Sequence, residues 1–422
     1  MSRTLDQWLE FIGQQHPKAI EMGLERTRTV VGRLALGKPA THVITVGGTN
    51  GKGSTVAFIE AIARSAGWRV GAYTSPHLLR YNERVRIDGV EATDAQLVAA
   101  FEAVEAARSD IGLTYFEFGT LAALWLFHEA HLDLAVLEVG LGGRLDAVNI
   151  VDPDVAVITT VDIDHVEWLG SDRESIGYEK ACIARAWKPL VLGEVDSPAS
   201  VLRHSYAIGA NAVRLGSDFF HETIDAQHWR WREVGFELEL PNPLLAASVQ
   251  RSNAATAIAA LRALPVEIPI AAFVKGVATA SIPARLQRFR VREREVVVDV
   301  GHNPQAAREL AAWLRSEPIE GRTLAVFGAL SDKDVAGVVE ALAPYVDQWF
   351  LAGLEIGSDR SQTAAELAGR LAGTAAAAGV RHATVAGAVQ ATLAVARAQD
   401  RILVFGSFHV AAEAMAVLHS GQ

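Results

Sequence analysis

The chain has 422 residues, half of them apolar and 21% charged, a composition that supports two or three globular domains with true cores. Its net charge of −10 argues against a general nucleic-acid binder, since neutralising phosphates takes clustered Lys and Arg, but a local cluster or Mg²⁺ still leaves anionic small molecules open. One cysteine, Cys182, permits no intrachain disulfide and fits a reducing compartment. Asp6 and Glu10 interrupt any signal-peptide-like start, and no apolar run approaches about 18 residues without a charge or Gly. The expectation is a cytoplasmic protein with no membrane and no nucleic-acid partner.

In chain order, apolar strand-like runs alternate with helical patterns, which predicts an α/β fold with mainly parallel sheets. Strands are expected at 41–47, 134–139 and 155–160, and helices at 52–65, 94–107 and 118–128. Residues 229–240 alternate differently and read as a local antiparallel excursion. From Val296 the rhythm turns regular, with strands at 296–300, 324–328, 348–352 and 402–406 between Ala-rich helical segments, a Rossmann-like unit. The stretch Ser281-Ile282-Pro283-Ala284-Arg285-Leu286 sets a boundary near 287, giving domains 1–287 and 288–422. No fixed-period repeat is present.

Gly47-Gly48-Thr49-Asn50-Gly51-Lys52-Gly53-Ser54 follows a strand and opens a helix. Glycines let backbone N–H groups approach phosphate oxygens, the helix N-terminus favours negative charge, and Lys52 reaches outer phosphates. The strict Walker spacing is not met, so a plain Gly-rich turn stands as the alternative. Glu138 ends a strand pattern, and Asp162, Asp164 and His165 follow another; acids and an imidazole at strand ends suit a divalent cation or a purely structural role. Lys180 reads either as functional or as a solvated helix lysine paired with a carboxylate, and Cys182 as a small core residue. Asp299 to Pro304 again lies at a strand end, with Pro304 starting a helix, and Asp332-Lys333-Asp334 follows the 324–328 strand. Arg285 either meets phosphates or caps a helix.

These motifs resemble the bifunctional dihydrofolate synthase/folylpolyglutamate synthases of the Mur ligase superfamily. The likeness runs through nearly the whole chain and rests on Gly48 to Ser54, Thr74-Ser75-Pro76-His77-Leu78, Glu138 to Asn149, Asp164-His165, Glu179-Lys180-Ala181, Gly301-His302-Asn303-Pro304 and Gly328 to Asp334. Thr114 to Thr120 is similar to the bifunctional bacterial branch; the alternative is that this segment merely starts a core helix, with Thr114 as N-cap and Glu117 as its capping-box partner. Val148, Cys182, Ala284 and Gly301 depart from the usual residues at their positions, and none removes a ligand.

The resemblance implies an N-terminal P-loop, Mur-ligase-type ATPase domain followed by a C-terminal Rossmann-like domain. It implies that Thr49, Asn50, Gly51, Lys52, Gly53, Ser54, Asn253, Arg285 and Asp299 bind ATP. Ser75, Glu138, His165 and a carbamylated Lys180 would hold two Mg²⁺ ions, the carbamate coming from CO₂, which adds only to a neutral amine. Lys52, Lys180 and His302 take catalytic roles. Glu21, Met22, Gly23, Leu24, Thr114, Tyr115, Phe116, Glu117, Leu145, Asp146 and Ala147 line a pteroate pocket. The partners implied are dihydropteroate, tetrahydrofolate, L-glutamate and ATP, in a monomer. A cell-wall Mur ligase is the nearer alternative, disfavoured because the phosphate loop at residue 47 leaves no room for a preceding UDP-binding domain. A P-loop switch or binding module is the more distant one, disfavoured by the second Rossmann-like unit.

Overall fold

The computed structural model describes residues 3–18, 20–354, 357 and 359–420. The chain divides into two compact units, one of residues 1–244 with 251–281, the other of residues 245–250 with 282–422.

In the first unit the strands are β1 (Ala40–Gly47), β2 (Val70–Tyr73), β3 (Val85–Ile87), β4 (Val90–Glu91), β5 (Leu132–Glu138), β6 (Val155–Ile158), β7 (Pro189–Leu192) and β8 (Asn211–Arg214). They form one sheet in the order β4-β3-β2-β5-β1-β6-β7-β8, parallel from β2 to β8, with β3 and β4 antiparallel at one edge. The inner strands are buried almost throughout, which is why they read as unbroken apolar runs rather than alternations. Helices Lys52–Ser65 and Tyr115–Ala130 are likewise buried on most of their surface. The second of these begins three residues before the expected position, because Thr114 caps it with Glu117 in a reciprocal capping box. Strand β6 stops at Ile158, two residues short of expectation, because Thr159 and Thr160 turn their hydroxyls and backbone to the Gly-rich loop.

The antiparallel excursion is a three-stranded sheet of β9 (Phe219–Thr223), β10 (His228–Glu233) and β11 (Phe236–Pro241). Its alternation sends Trp229 and Trp231 into the core, each worth on the order of 4 kcal/mol in buried apolar area. Trp231 Nε1 donates to Ala255 O at 3.0 Å, which ties this sheet to helix Val249–Arg262.

In the second unit, β12 (Gln287–Val291), β13 (Arg294–Val298), β14 (Thr323–Phe327), β15 (Gln348–Ala352), β16 (Val380–His382) and β17 (Arg401–Phe405) form a sheet in the order β12-β13-β17-β14-β15-β16. It is parallel except for β12, which makes a hairpin with β13 that the sequence pattern did not announce. Among the described residues, no helix is long and apolar enough to cross a membrane.

Candidate active site

The carboxyl ends of β1, β2, β5, β6 and β7 lie along one edge of the first sheet, where doubly wound folds bind ligands. The Gly-rich loop leaves β1 there. Gly48 has φ +146° and Gly51 φ +88°, conformations that only glycine adopts without strain. A Cβ on Gly48 would fall 1.9 Å from Thr159 Oγ1, and one on Gly51 would fall 2.6 Å from Asn253 Oδ1. Asn253 is buried against the loop from helix Val249–Arg262. The loop is laced to the segment after β6: Thr49 N donates to Thr160 O (2.8 Å), Asn50 N to Thr160 Oγ1 (3.1 Å), and Thr159 Oγ1 to Asn50 O (2.6 Å). It curls around its own lysine, whose Nζ donates to Gly48 O (3.0 Å) and Thr49 O (3.2 Å). Gly53 and Ser54 form the buried first turn of helix Lys52–Ser65.

Lys180 is only 4% exposed, which rules out the solvated-helix alternative. It sits in the last turn of helix Arg173–Ala181, and its Nζ donates to Gly48 O at 3.0 Å. Burial, reinforced by the charge of Lys52, lowers its pKa to about 7, while Asp164 and Asp146 work the other way. Cys182 caps the same helix and is half-buried rather than part of the core, because the chain turns there with its N–H bonded back to Tyr178 O and Lys180 O.

Ser75 and Glu138 come together because β2 and β5 are parallel neighbours: Ser75 N donates to Glu138 Oε2 (3.1 Å), and the carboxylate is buried. His165 sits in a left-handed conformation at the start of helix Val166–Leu169, its N donating to Asp164 Oδ1 (2.8 Å). Among the described residues, no three His, Cys, Asp or Glu side chains group as a metal site. The hydroxyl, carboxylate and imidazole of Ser75, Glu138 and His165 suit a divalent cation. An amine at Lys180 supplies no oxygen, whereas a carbamate there would.

The candidate acceptor segments converge beside this edge. Phe116 packs on Gly140, Met22 and Leu169 approach Gly142, and Gly23 N donates to Leu145 O (3.4 Å). Tyr115 faces Tyr81 with ring centroids 5.9 Å apart, and the Arg84 guanidinium lies over both rings. The buried Asp146 carboxylate accepts from Leu141 N (2.8 Å) and Val148 N (3.0 Å), shaping the loop that ends at Ala147. Burial raises Asp146 to about 6, opposed by those backbone N–H groups and by Lys52. Glu117 is engaged by Thr114 N (2.8 Å) and Arg26 Nε (3.1 Å), so the capping alternative for Thr114 and Glu117 is realised. Arg26 also donates to Glu21 O (3.0 Å), joining the segment that leads through Met22 and Gly23 to the buried Leu24 with the start of helix Tyr115–Ala130.

In the second unit, Asp299 accepts from Leu286 N (2.9 Å) and Gly301 N (2.7 Å). Burial raises its pKa, opposed first by Arg285. Arg285 lies 5.4 Å over the Phe408 ring, and His302 approaches the same ring at 6.5 Å while its Nδ1 lies 3.0 Å from Val300 O. Sequence reasoning missed Arg26, Arg84 and Phe408. None belongs to a motif with its own spacing signature, and only packing reveals them.

Two family models match the chain: the Mur ligase middle domain over residues 46–261 and the Mur ligase, glutamate ligase domain over residues 284–408. A phosphate loop on a parallel sheet joined to a second α/β unit is the architecture these describe. The chain belongs to the Mur ligase family, within its dihydrofolate synthase/folylpolyglutamate synthase branch. It is 46% identical to the dihydrofolate synthase/folylpolyglutamate synthase of Escherichia coli K12, over 98% of this chain and 95% of that protein. A solved structure of E. coli FolC in complex with DHPP and ADP matches with TM-score 0.94 at 45% identity, covering 99% and 98% of the two chains. A bifunctional folylpolyglutamate synthase/dihydrofolate synthase solved with Mn, AMPPNP and L-glutamate bound matches with TM-score 0.91 at 44% identity, again over 99% and 98%.

Proposed function

We propose that this chain is an ATP-dependent acid–amino-acid ligase that adds L-glutamate to dihydropteroate, giving dihydrofolate, and to tetrahydrofolate, giving folylpolyglutamates. The observation that carries this reading is the convergence of Lys52 and Lys180 on the phosphate loop with the three acceptor segments meeting alongside, where Asp146 feels the charge of Lys52. Full-length likeness to enzymes named for both activities supports it.

A carboxylate is inert toward an amine at neutral pH because its leaving group is too poor. Transfer of the ATP γ-phosphoryl group to the acceptor carboxylate gives an acyl phosphate, which glutamate's amine then attacks with loss of phosphate. Phosphoryl transfer needs positioning and charge neutralisation more than covalent help. Thr49 to Ser54 and Asn253 hold the phosphates, with Lys52 on the transferred group. Two divalent cations, held by Ser75, Glu138, His165 and a carbamate on Lys180, would neutralise the phosphate charge when bound. Arg285, Asp299 and His302 take the nucleotide and transfer roles that the family implies. Glu21 to Leu24, Thr114 to Glu117 and Leu145 to Ala147 orient the pteroate.

The test is ADP release by the purified protein against dihydropteroate, tetrahydrofolate and UDP-muramoyl acceptors, with and without L-glutamate. Glutamate-dependent release with both folate acceptors is expected. Release with tetrahydrofolate alone reduces the reading to a folylpolyglutamate synthase, and release with the UDP-muramoyl acceptor replaces it.

A further inference from the structure

The segment that follows β6 is held from two sides. Toward the phosphate loop, Thr49 Oγ1 donates to Asp162 O and accepts from Asp162 N, both at 3.0 Å. On the other side, side chains take both backbone groups of Val161: its N donates to Glu194 Oε1 (3.0 Å), and Arg173 Nε donates to its O (2.9 Å). Glu194 and Arg173 are themselves paired, Nη2 to Oε2 at 3.4 Å, and Arg173 Nη2 also donates to Asp196 O (2.7 Å). Val161 is 1% exposed, so its backbone groups have no water to fall back on.

The pair joins three elements. Glu194 lies two residues past β7, Arg173 opens the helix that carries Lys180 in its last turn, and Val161 stands between the loop-binding threonines and His165. Burial pushes the Glu194 carboxyl up to about 7, with Arg173 working against that rise. What a planar guanidinium and a carboxylate provide together is fixed geometry at both the N–H and the C=O of a single residue.

We propose that Arg173 and Glu194 are positioning residues, a brace that acts through Val161 to hold the 159–165 segment against the phosphate loop and so sets the affinity for nucleotide with its divalent cation. The inference rests on nucleotide binding at Thr49 to Ser54. Groups that orient a metal or phosphate site from behind typically govern a 10–100-fold share of its affinity or activity, roughly the range expected here.

The experiment is calorimetric titration of the full-length protein with Mg²⁺·AMPPNP, and separately with dihydropteroate, for wild type, Glu194→Ala, Glu194→Gln, Arg173→Gln and the Glu194→Ala/Arg173→Gln double variant. Glu194→Ala and Arg173→Gln are expected to weaken nucleotide binding about tenfold or more, leaving dihydropteroate binding unchanged. The double variant should be no weaker than the worse single, because one brace is lost once. Glu194→Gln, which keeps an acceptor for Val161 N, should recover part of the loss. Wild-type nucleotide affinity in the folded single variants overturns the brace, as does equal loss of both ligands, which marks general damage. If Glu194→Ala fails to fold, Glu194→Gln and Arg173→Gln decide the matter, and unchanged affinity in both overturns it. A wild type that binds no nucleotide overturns the functional reading and the brace with it; a wild type that binds, with variants that match it, overturns the brace alone.

Discussion

Lys52 and Lys180 donate to the same carbonyl oxygen, each Nζ lying 3.0 Å from Gly48 O. Lys180 is buried, and that burial, reinforced by the charge of Lys52 on the same acceptor, brings its pKa down to about 7. Below that value it is an ammonium; above it the amine is neutral and open to CO₂. Carbamylation and activity are therefore expected to rise together between about pH 6 and about pH 8. Lys180→Ala should be inactive. A carbamate resonance from carbon-13 bicarbonate, present at the higher pH and lost at the lower, checks the first expectation. Full activity in bicarbonate-free buffer would count against it.

Lys52 is the residue the loop folds around, so Lys52→Ala removes a charge without disturbing the core. Catalysis should fall by about 10²-fold or more, the scale of losing one preorganised charge contact, with little change in thermal unfolding. Steady-state ADP release and circular dichroism together test this. Wild-type turnover in a folded variant would remove Lys52 from the mechanism.

Gly48→Ala places a Cβ 1.9 Å from Thr159 Oγ1, a buried hydroxyl already donating to Asn50 O, in a backbone conformation that alanine rarely adopts. The loop must then move. The strain is on the order of 1–3 kcal/mol, and nucleotide binding should be lost even where the fold survives. A lowered melting temperature with no AMPPNP-induced rise is the expected result. A variant that AMPPNP stabilises as it does the wild type would show that the loop conformation is not required.

Asp146 holds its loop through Leu141 N and Val148 N, so Asp146→Ala both removes a carboxylate and loosens the acceptor pocket. Use of dihydropteroate, which is held only through its pterin and benzoate, should suffer more than nucleotide binding does. Tetrahydrofolate, with a longer tail to hold it, should suffer differently. Parallel assays with the two acceptors and an AMPPNP titration measure the split. A loss shared equally by nucleotide and both acceptors would assign Asp146 to loop folding alone.

What the sequence by itself determined is local. The helix at 52–65 emerges with those bounds, because a Gly-rich turn starts it and apolar periodicity carries it. The Thr114 and Glu117 capping box is a three-residue relation that any reader of the chain can see, and the structure contains it. Glu138 at a strand end and Pro304 opening a helix are of the same kind. The tertiary structure alone decided what depends on distance across the sheet. Lys180 lies on a helix whose sequence suits solvent, and only packing against β1's loop strips its water and brings Lys52 close enough to shift it. Glu194 and Arg173 meet at Val161 because β6 and β7 are neighbours, a pairing no spacing encodes. Arg26 reaches Glu117 across more of the chain still. Periodicity and capping report interactions within a few residues, whereas desolvation and charge coupling fall off with distance in space, and the chain's order says little about that distance.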